Sequence, residues 1–410
     1  MSEWKKVRLG DVVSIKSGLS YKSEFLGKGD NLLLGMGCVS YKDRFVDSGA
    51  RPYSQDCDSK YLAVPGDLVL ATRQQSDNLP ILAMPAIIPD KYRGKKIIIG
   101  TNLYKVENSS DIDNRFLFFV LKGHDYVNYI RGVKTGTTVQ MVSKRNVEEY
   151  QFLCPPKEIR KQIVSILSHY DTLIENYQQQ IKLLEEAAQR LFKEWFVDLR
   201  FPSHESIKIC DGVPEGWEKT NINSILTFHR GYDLTHKEFV DGPYPVVGST
   251  SIIGNHNKYK IEGPGIVTGR SGSLGVYQLI WDNFWPHNTS LYISDFKGHD
   301  VFYIYCLLKT VDFTTLNSGG AIPSLNRNTL SNISVMEPPM SLQAKFSEKV
   351  MPMFKRQRHL HSQVQLLTEA RDRLLPKLMS GEISVETVLS VTSGLGVRKE
   401  QTDSPQATDS

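Results

Sequence analysis

Hydrophobic and polar positions follow two different periods along this chain, and the change of period marks its parts. Over residues 1–152 the apolar positions fall in short runs (VRLGDVVSI, NLLLGMG, GDLVLATR, KKIIIGTNLYKV) divided by Gly, Pro, Asp and Asn. That pattern predicts strands joined by turns. One longer run, RFLFFVLKGHDYVNYI from Arg115 to Ile130, predicts a helix. Pro155-Pro156 then stops extended structure and opens a further helix, in whose first turn proline is tolerated. Its Ile159, Ile163, Ile166 and Leu167 share one face. From Ile174 onward apolar residues recur at Tyr177, Ile181, Leu184, Ala188, Leu191 and Trp195, alternately three and four apart, which predicts a heptad seam.

This stretch occurs twice. Leu153–Phe196 reappears without a gap as Met336–Met379, at an offset of 183 residues. In the second copy Leu360, Val364, Leu367, Leu374 and Leu378 keep the seam, Gln357 and Arg371 interrupt it, and Pro376 and Gly381 end it. Pro352 aligns with His169, and proline inside a helix costs about 3 kcal/mol. A break is therefore predicted near 168–171 and 351–354, with Asp171 as N-cap of the next helix. The spacer narrows to 171–196 against 354–379. Residues 201–335 restart the strand pattern. Trp217-Glu218-Lys219 echoes Trp4-Lys5-Lys6, and Pro264-Gly265-Ile266-Val267 before Arg270 echoes Pro65-Gly66-Asp67-Leu68 before Arg73. Between the echoes the side chains differ widely, so the frame repeats and its decoration does not. The expected fold is α+β, a pseudo-twofold repeat of two α/β domains with strand-rich cores. Long helices separate the domains and pair as an antiparallel coiled coil. The expected divisions are 1–152, 153–200, 201–335, 336–389 and a disordered polar tail at 390–410.

Charge refines this picture. The net of +4 is uneven: residues 1–155 carry 22 Lys+Arg against 17 Asp+Glu, and residues 201–338 carry 10 against 13. Only the first block points to a polyanion partner, and the second must use a few placed cations. The N-terminus lacks the apolar core of a signal peptide and no apolar run is long enough to span a membrane. Five scattered cysteines form no CxxC or Cys/His cluster, which suggests reduced thiols in a cytoplasmic protein.

Catalytic patterns are missing. GRSGSLG (Gly269–Gly275) fits a tight turn better than a dinucleotide loop, and there is no GxxxxGK[ST]. Neither Cys154-Pro155-Pro156 nor Glu337-Pro338-Pro339 supplies the Asn or Asp an amino-methyltransferase carries before its prolines. Ten histidines show no metal-ligand spacing. What remains is geometry. The 26 residues from Asp171 to Phe196 would span roughly 39 Å as a helix, close to the 34–36 Å or so of one turn of B-DNA. Two like domains at that spacing suit two half-sites on one face of a duplex.

Several segments occur in one order along the chain: Trp4 to Leu9-Gly10-Asp11, PGDLVLATR, Gly136-Thr137-Thr138-Val139-Gln140 and, most specific, PPKEIRKQIVSIL with its helix and LLPKLMSGEI. On these the chain resembles the specificity subunits of type I DNA restriction–modification enzymes. The resemblance covers residues 1–386. It implies two target-recognition domains alternating with two helical regions, no catalysis by this chain, and no cofactor bound by it. It implies partners: double-stranded DNA, two modification subunits that methylate adenine with S-adenosylmethionine, and restriction subunits that use ATP and Mg to cleave. The target would be asymmetric and interrupted. The second domain departs from the pattern: its opening lacks Leu-Gly-Asp, and Ala321-Ile322-Pro323-Ser324 stands where the first has Thr138-Val139-Gln140-Met141. The other readings are a stand-alone methyltransferase or nuclease with fused recognition domains, and an adaptor that binds only proteins.

The DNA-contact candidates are Arg73 and Arg270 after matching strands, where a loop can present a guanidinium to guanine or phosphate. Lys134, Lys144 and Arg145 flank the Gly-Thr-Thr turn, with Arg327 at Lys144's place in the second domain. Arg230 and Tyr232 sit where Ser17 and Leu19 sit in the first. Glycine neighbours single out Lys134 and Arg230 for close backbone approach. The spacer and docking candidates are Ile163, Leu167, Ile174, Ile181, Leu184, Leu191, Leu360, Val364, Leu367 and Leu374.

Overall fold

A computed structural model describes residues 4–75, 81–270, 275–311 and 333–395. The chain divides into two units, Met1–Glu175 with Val364–Ser410, and Asn176–Gln363. The division falls inside both long helices, so each unit holds one strand-rich domain and a piece of each helix.

In the first unit a four-stranded antiparallel sheet runs in the order Val13–Ser17, Leu103–Asn108, Leu68–Ala71, Pro85–Ile87. The third of these, LVLA, is buried at every residue, as a strand covered on both faces must be. A second sheet runs Ala50–Tyr53, Leu26–Leu34, Ile97–Ile99, Leu62–Ala63, with Leu32–Leu34 parallel to Ile97–Ile99. Lys5–Arg8 pairs antiparallel with Gln151–Cys154 and closes the unit. The run 115–130 forms two helices rather than one, Asn114–Lys122 and His124–Val133. Asp113 caps the first, and Gly123 takes an extended conformation that ends it.

The second unit repeats the frame. Thr227–Arg230, Ser290–Asp295, Gly265–Gly269 and Tyr277–Ile280 lie in the same order as the first sheet above. Ile252–His256, Tyr244–Val247 and Trp285–Pro286 repeat the core of the second, again with one parallel pair. Glu218–Asn221 pairs with Ser334–Glu337.

The long helices differ from expectation. Lys157–Phe192 and Met340–Ser380 are each continuous, without breaks near 168–171 or 351–354. Asp171 is therefore not an N-cap; it lies mid-helix and buried. Pro352 is exposed, and so is Glu348, the residue one turn earlier whose carbonyl a proline at 352 cannot bond. Buried Phe346, Val350 and Phe354 hold the helix on its other side. Here packing outweighs propensity. Pro376 also lies within the helix, which ends at Gly381 in a left-handed conformation. A last helix, Val385–Leu395, runs into the stretch expected to be tail.

The seam positions face the packed side of their helices. Ile163, Leu167, Ile174 and Leu360 are buried, and Ile181, Leu184, Leu191, Val364, Leu367 and Leu374 are half-buried. Ile163, Leu167 and Leu374 belong to the first unit's core, and Leu191 to the second's. The two polar interruptions are both paired. Arg371 Nη1 donates to Asp171 Oδ1 at 2.7 Å in the first unit. Gln357 Nε2 donates to the Ile181 carbonyl and to Glu185, at 2.9 and 3.0 Å, in the second. All five cysteines are unpaired thiols.

Candidate nucleic-acid interface

In the first unit the candidates gather around a two-residue strand pair. Arg73–Gln74 pairs antiparallel with Gln140–Met141, Arg73 opposite Met141. Gln74, only 3% exposed, organises the surroundings. Its Nε2 donates to Gln140 Oε1 at 2.6 Å, and its Oε1 accepts the Ile81 and Leu82 amides at 3.0 and 2.9 Å. Lys134 Nζ donates to the same Gln140 oxygen at 3.2 Å. The turn between closes by reciprocal backbone bonds of Thr135 and Met141, with Gly136 at φ +90°. Lys144 and Arg145 are exposed on the short helix Lys144–Glu148, capped by Ser143. Arg73, Lys134 and the Gly-Thr-Thr segment thus meet in one place, and Lys144 and Arg145 follow directly in the chain. The contact of Gln74 with Gln140 is not legible in the sequence, because a two-residue strand pairing across 66 residues leaves no periodicity to read.

The second unit differs at equivalent positions. The parallel bridges Leu19 to Gly100 and Tyr232 to His287 fix the correspondence. At both sites a glycine lets the chains touch: a Cβ on Gly18 would lie 2.1 Å from the Gly100 carbonyl oxygen, and one on Gly231 the same distance from that of His287. Gly231→Ala and Gly18→Ala are each expected to destabilise their unit by about 1–3 kcal/mol, read as a lowered Tm. An unchanged Tm would show that the contact is loose. Arg230 is exposed and pairs with Asp233 at 3.2 Å. Asn288 donates to the same carboxylate. The Tyr232 and Tyr292 hydroxyls lie 3.0 Å apart, and His229 stacks beside Tyr232 with centroids 6.3 Å apart. Lys260 Nζ sits over the Tyr232 and Trp285 rings, at 5.3 and 4.8 Å. Burial, and the hydrogen bond with Tyr232, push the Tyr292 hydroxyl's pKa well up, so it stays neutral and able to donate or accept. In the first unit this patch is basic instead. Lys16 lies directly opposite Lys105, where the second unit has His229 opposite Tyr292. A like-charge cross-strand pair is unfavourable in isolation. The pairing of His229 with Tyr292 is a non-local contact between strands, which no local pattern of the sequence marks.

One expected correspondence fails. Leu103 pairs with Ala71, and Ser290 with Gly269, so Arg270 stands where the first unit has Thr72. The amides agree: Thr72 bonds the Asn102 carbonyl, and Arg270 that of Thr289. Arg73 and Arg270 are thus one residue out of register. On a strand, a one-residue slip turns the side chain to the opposite face. Arg270 is exposed, and Thr72 is buried. Arg327 and the 321–324 segment lie outside the described residues.

Two strand-rich units on one frame, each bearing its own polar surface beside a stretch of paired helix, define a duplicated α+β protein with two distinct candidate binding surfaces. A family model described as the type I restriction modification DNA specificity domain matches residues 1–186 and 214–365, and the chain belongs to that family. The chain is similar to the type I restriction enzyme MjaIX specificity subunit of Methanocaldococcus jannaschii. The two are 26% identical over 301 residues, 67% of this chain and 70% of that one. It is also similar to the HindI specificity subunit of Haemophilus influenzae, 22% identical over 93% of this chain and 100% of the other. Among solved structures it shares its fold with the S subunit of a type I restriction-modification system from M. genitalium. There the TM-score is 0.57 at 18% identity, over 92% of this chain and 96% of that one. This chain is a type I restriction–modification specificity subunit. No helix among its described residues is long and apolar enough to cross a membrane.

Proposed function

We propose that this subunit reads an asymmetric, interrupted DNA target, one half-site through each unit, and is not catalytic itself. One observation carries the reading. Equivalent positions of a repeated frame bear unlike chemistry: Lys16, Leu19, Lys105 and Thr72 in the first unit, His229, Tyr232, Tyr292 and Arg270 in the second. A like frame gives both units the same way of approaching a duplex, and unlike side chains read different bases. The paired helices set the interruption. Two modification subunits would dock on the chain and supply adenine methylation with S-adenosylmethionine. Restriction subunits, using ATP and Mg, would join through them.

The test is a map of methylated adenines in DNA exposed to the chain co-purified with its modification subunits. A single motif of two unlike halves around a fixed gap is expected. A continuous motif, or two identical halves, would sink the bipartite reading. Methyl transfer by the purified chain alone would overturn its non-catalytic role.

A further inference from the structure

The first unit holds one arginine whose surroundings are incomplete. Among the described residues, the arginines that are not exposed are Arg8, Arg44, Arg73, Arg160 and Arg371, and Arg8 is paired to Asp11 at 2.8 Å. Arg44 is paired to Glu175 at 2.6 Å, Arg160 to Asp111 at 2.8 Å, and Arg371 to Asp171 and Asp372 at 2.7 and 2.8 Å. Arg73 has no carboxylate partner among the described residues, and its Nε is buried without a hydrogen bond. A buried donor left unmade is costly, and a partly buried guanidinium without an acceptor more so. The fold keeps this residue where it is poorly satisfied by the protein alone.

The position is also rigid. Arg73 is held in register opposite Met141, and the next residue, Gln74, is buried and bonded to Gln140, Ile81 and Leu82. Phosphate contacts tolerate mobile, exposed cations such as Lys144 and Arg145. A fixed, half-buried guanidinium instead suits a partner with two adjacent acceptors in one plane. In the major groove only guanine offers that pair, O6 and N7. Adenine and cytosine place an amino donor there, and a donor facing a poorly hydrated guanidinium is rejected strongly.

We propose that Arg73 is the guanine-reading residue of the first unit, donating to O6 and N7 of one guanine in its half-site. This rests on the recognition role proposed above and names the base that role reads.

The test uses the full chain assembled with its modification subunits, on duplexes in which each base pair of the mapped target is permuted in turn. Arg73→Ala is expected to flatten discrimination at one G·C pair by roughly 5- to 150-fold, the range of a bidentate contact, and to leave the other positions unchanged. Replacing that guanine by 7-deazaguanine, which lacks the N7 acceptor, should weaken the wild-type complex and leave Arg73→Ala indifferent. Arg73→Lys keeps the charge but not the fork, and should remain impaired at the same pair. Full rescue by Arg73→Lys, or an equal loss by Arg73→Ala on every duplex, would show a phosphate contact and overturn the assignment. So would a wild-type complex insensitive to 7-deazaguanine at every guanine of the target, a result that needs no variant to fold. In these cases recognition itself still stands. A wild-type complex indifferent to every permutation would instead overturn the recognition role.

Discussion

Phe346→Ala is expected to destabilise the second unit by about 3–5 kcal/mol, the usual cost of emptying a fully buried aromatic site. Phe346 is 0% exposed and sits where the long helices and the strand-rich domain share one core. Its ring meets Phe192, Trp195 and Phe196 with centroids 5.7, 5.9 and 5.2 Å away, all edge-on. Such edge-on pairs each add about 0.5–1.5 kcal/mol beyond burial. The cavity would open among large rigid rings around a helix end that is already a π-turn, Lys193–Val197, where little can move in to fill it. The first unit has its own core, built on Phe116, Ile163 and Leu167, and keeps it. Urea denaturation followed by proteolysis should therefore show cleavage within 176–363 at lower denaturant, with the first unit protected as in wild type. A loss below about 1 kcal/mol, or simultaneous cleavage of both units, would contradict this reading of the core.

Much of this architecture was legible in the sequence because it is written twice. The repeat at an offset of 183 residues announced both long helices, and their apolar seams are buried or half-buried as the spacing required. What failed was local. Pro352 predicted a break by propensity, but a sequence does not say which side of a helix faces water, and this proline faces it. Gln357 and Arg371 read as flaws in a seam, since the partners that satisfy them, Ile181, Glu185 and Asp171, are more than 170 residues distant. At the candidate site the arginines were found and their register was not. Strand pairing is a non-local fact, and one residue of slip separates Arg73 from Arg270. Gln74 carried no signal at all, because its importance lies in hydrogen bonds, among them those to Gln140, Ile81 and Leu82, that only the folded chain makes.

Arg371→Ala alone is expected to cost the first unit about 3–5 kcal/mol, whereas Asp171→Phe with Arg371→Ala should restore or exceed wild-type stability. The protein itself suggests the second variant. At the repeat offset of 183 residues Asp171 corresponds to Phe354, and Arg371 to Ala188. Both of those residues are buried in the second unit's core, at 2% and 1% exposure. The same frame thus accepts an apolar pair of similar summed volume. In the first unit Asp171 and Arg371 side chains are 2% and 10% exposed, and they are bonded at 2.7 Å. The pair is unequal. Arg371 also holds Asp372, and its two carboxylates keep it above the ordinary guanidinium value despite burial. Burial raises the Asp171 carboxyl above its usual range in spite of Arg371, Arg44 and Lys122, and its Oδ2 has no hydrogen-bond partner. Removing Arg371 therefore strands a buried carboxylate, while removing Asp171 alone leaves Arg371 with Asp372, so the first single variant should be the worse of the two. The pH dependence follows from the raised folded-state value. The contribution of Asp171 is fully present below the unfolded aspartate value, about 3.9, and is lost as pH rises through the higher folded value. The advantage of the double variant over wild type should grow with pH above about 4 and level off once Asp171 is ionised in both states. Urea denaturation of wild type, Arg371→Ala, Asp171→Phe and the double variant across that range checks these statements. An advantage that shrinks as pH rises, or a double variant less stable than Arg371→Ala, would mean that the ionic pair stabilises the fold outright. If the double variant is stable but co-purifies with a mixture of methylation gaps, the buried pair is retained for helix register, the role for which polar residues in an apolar seam are best attested.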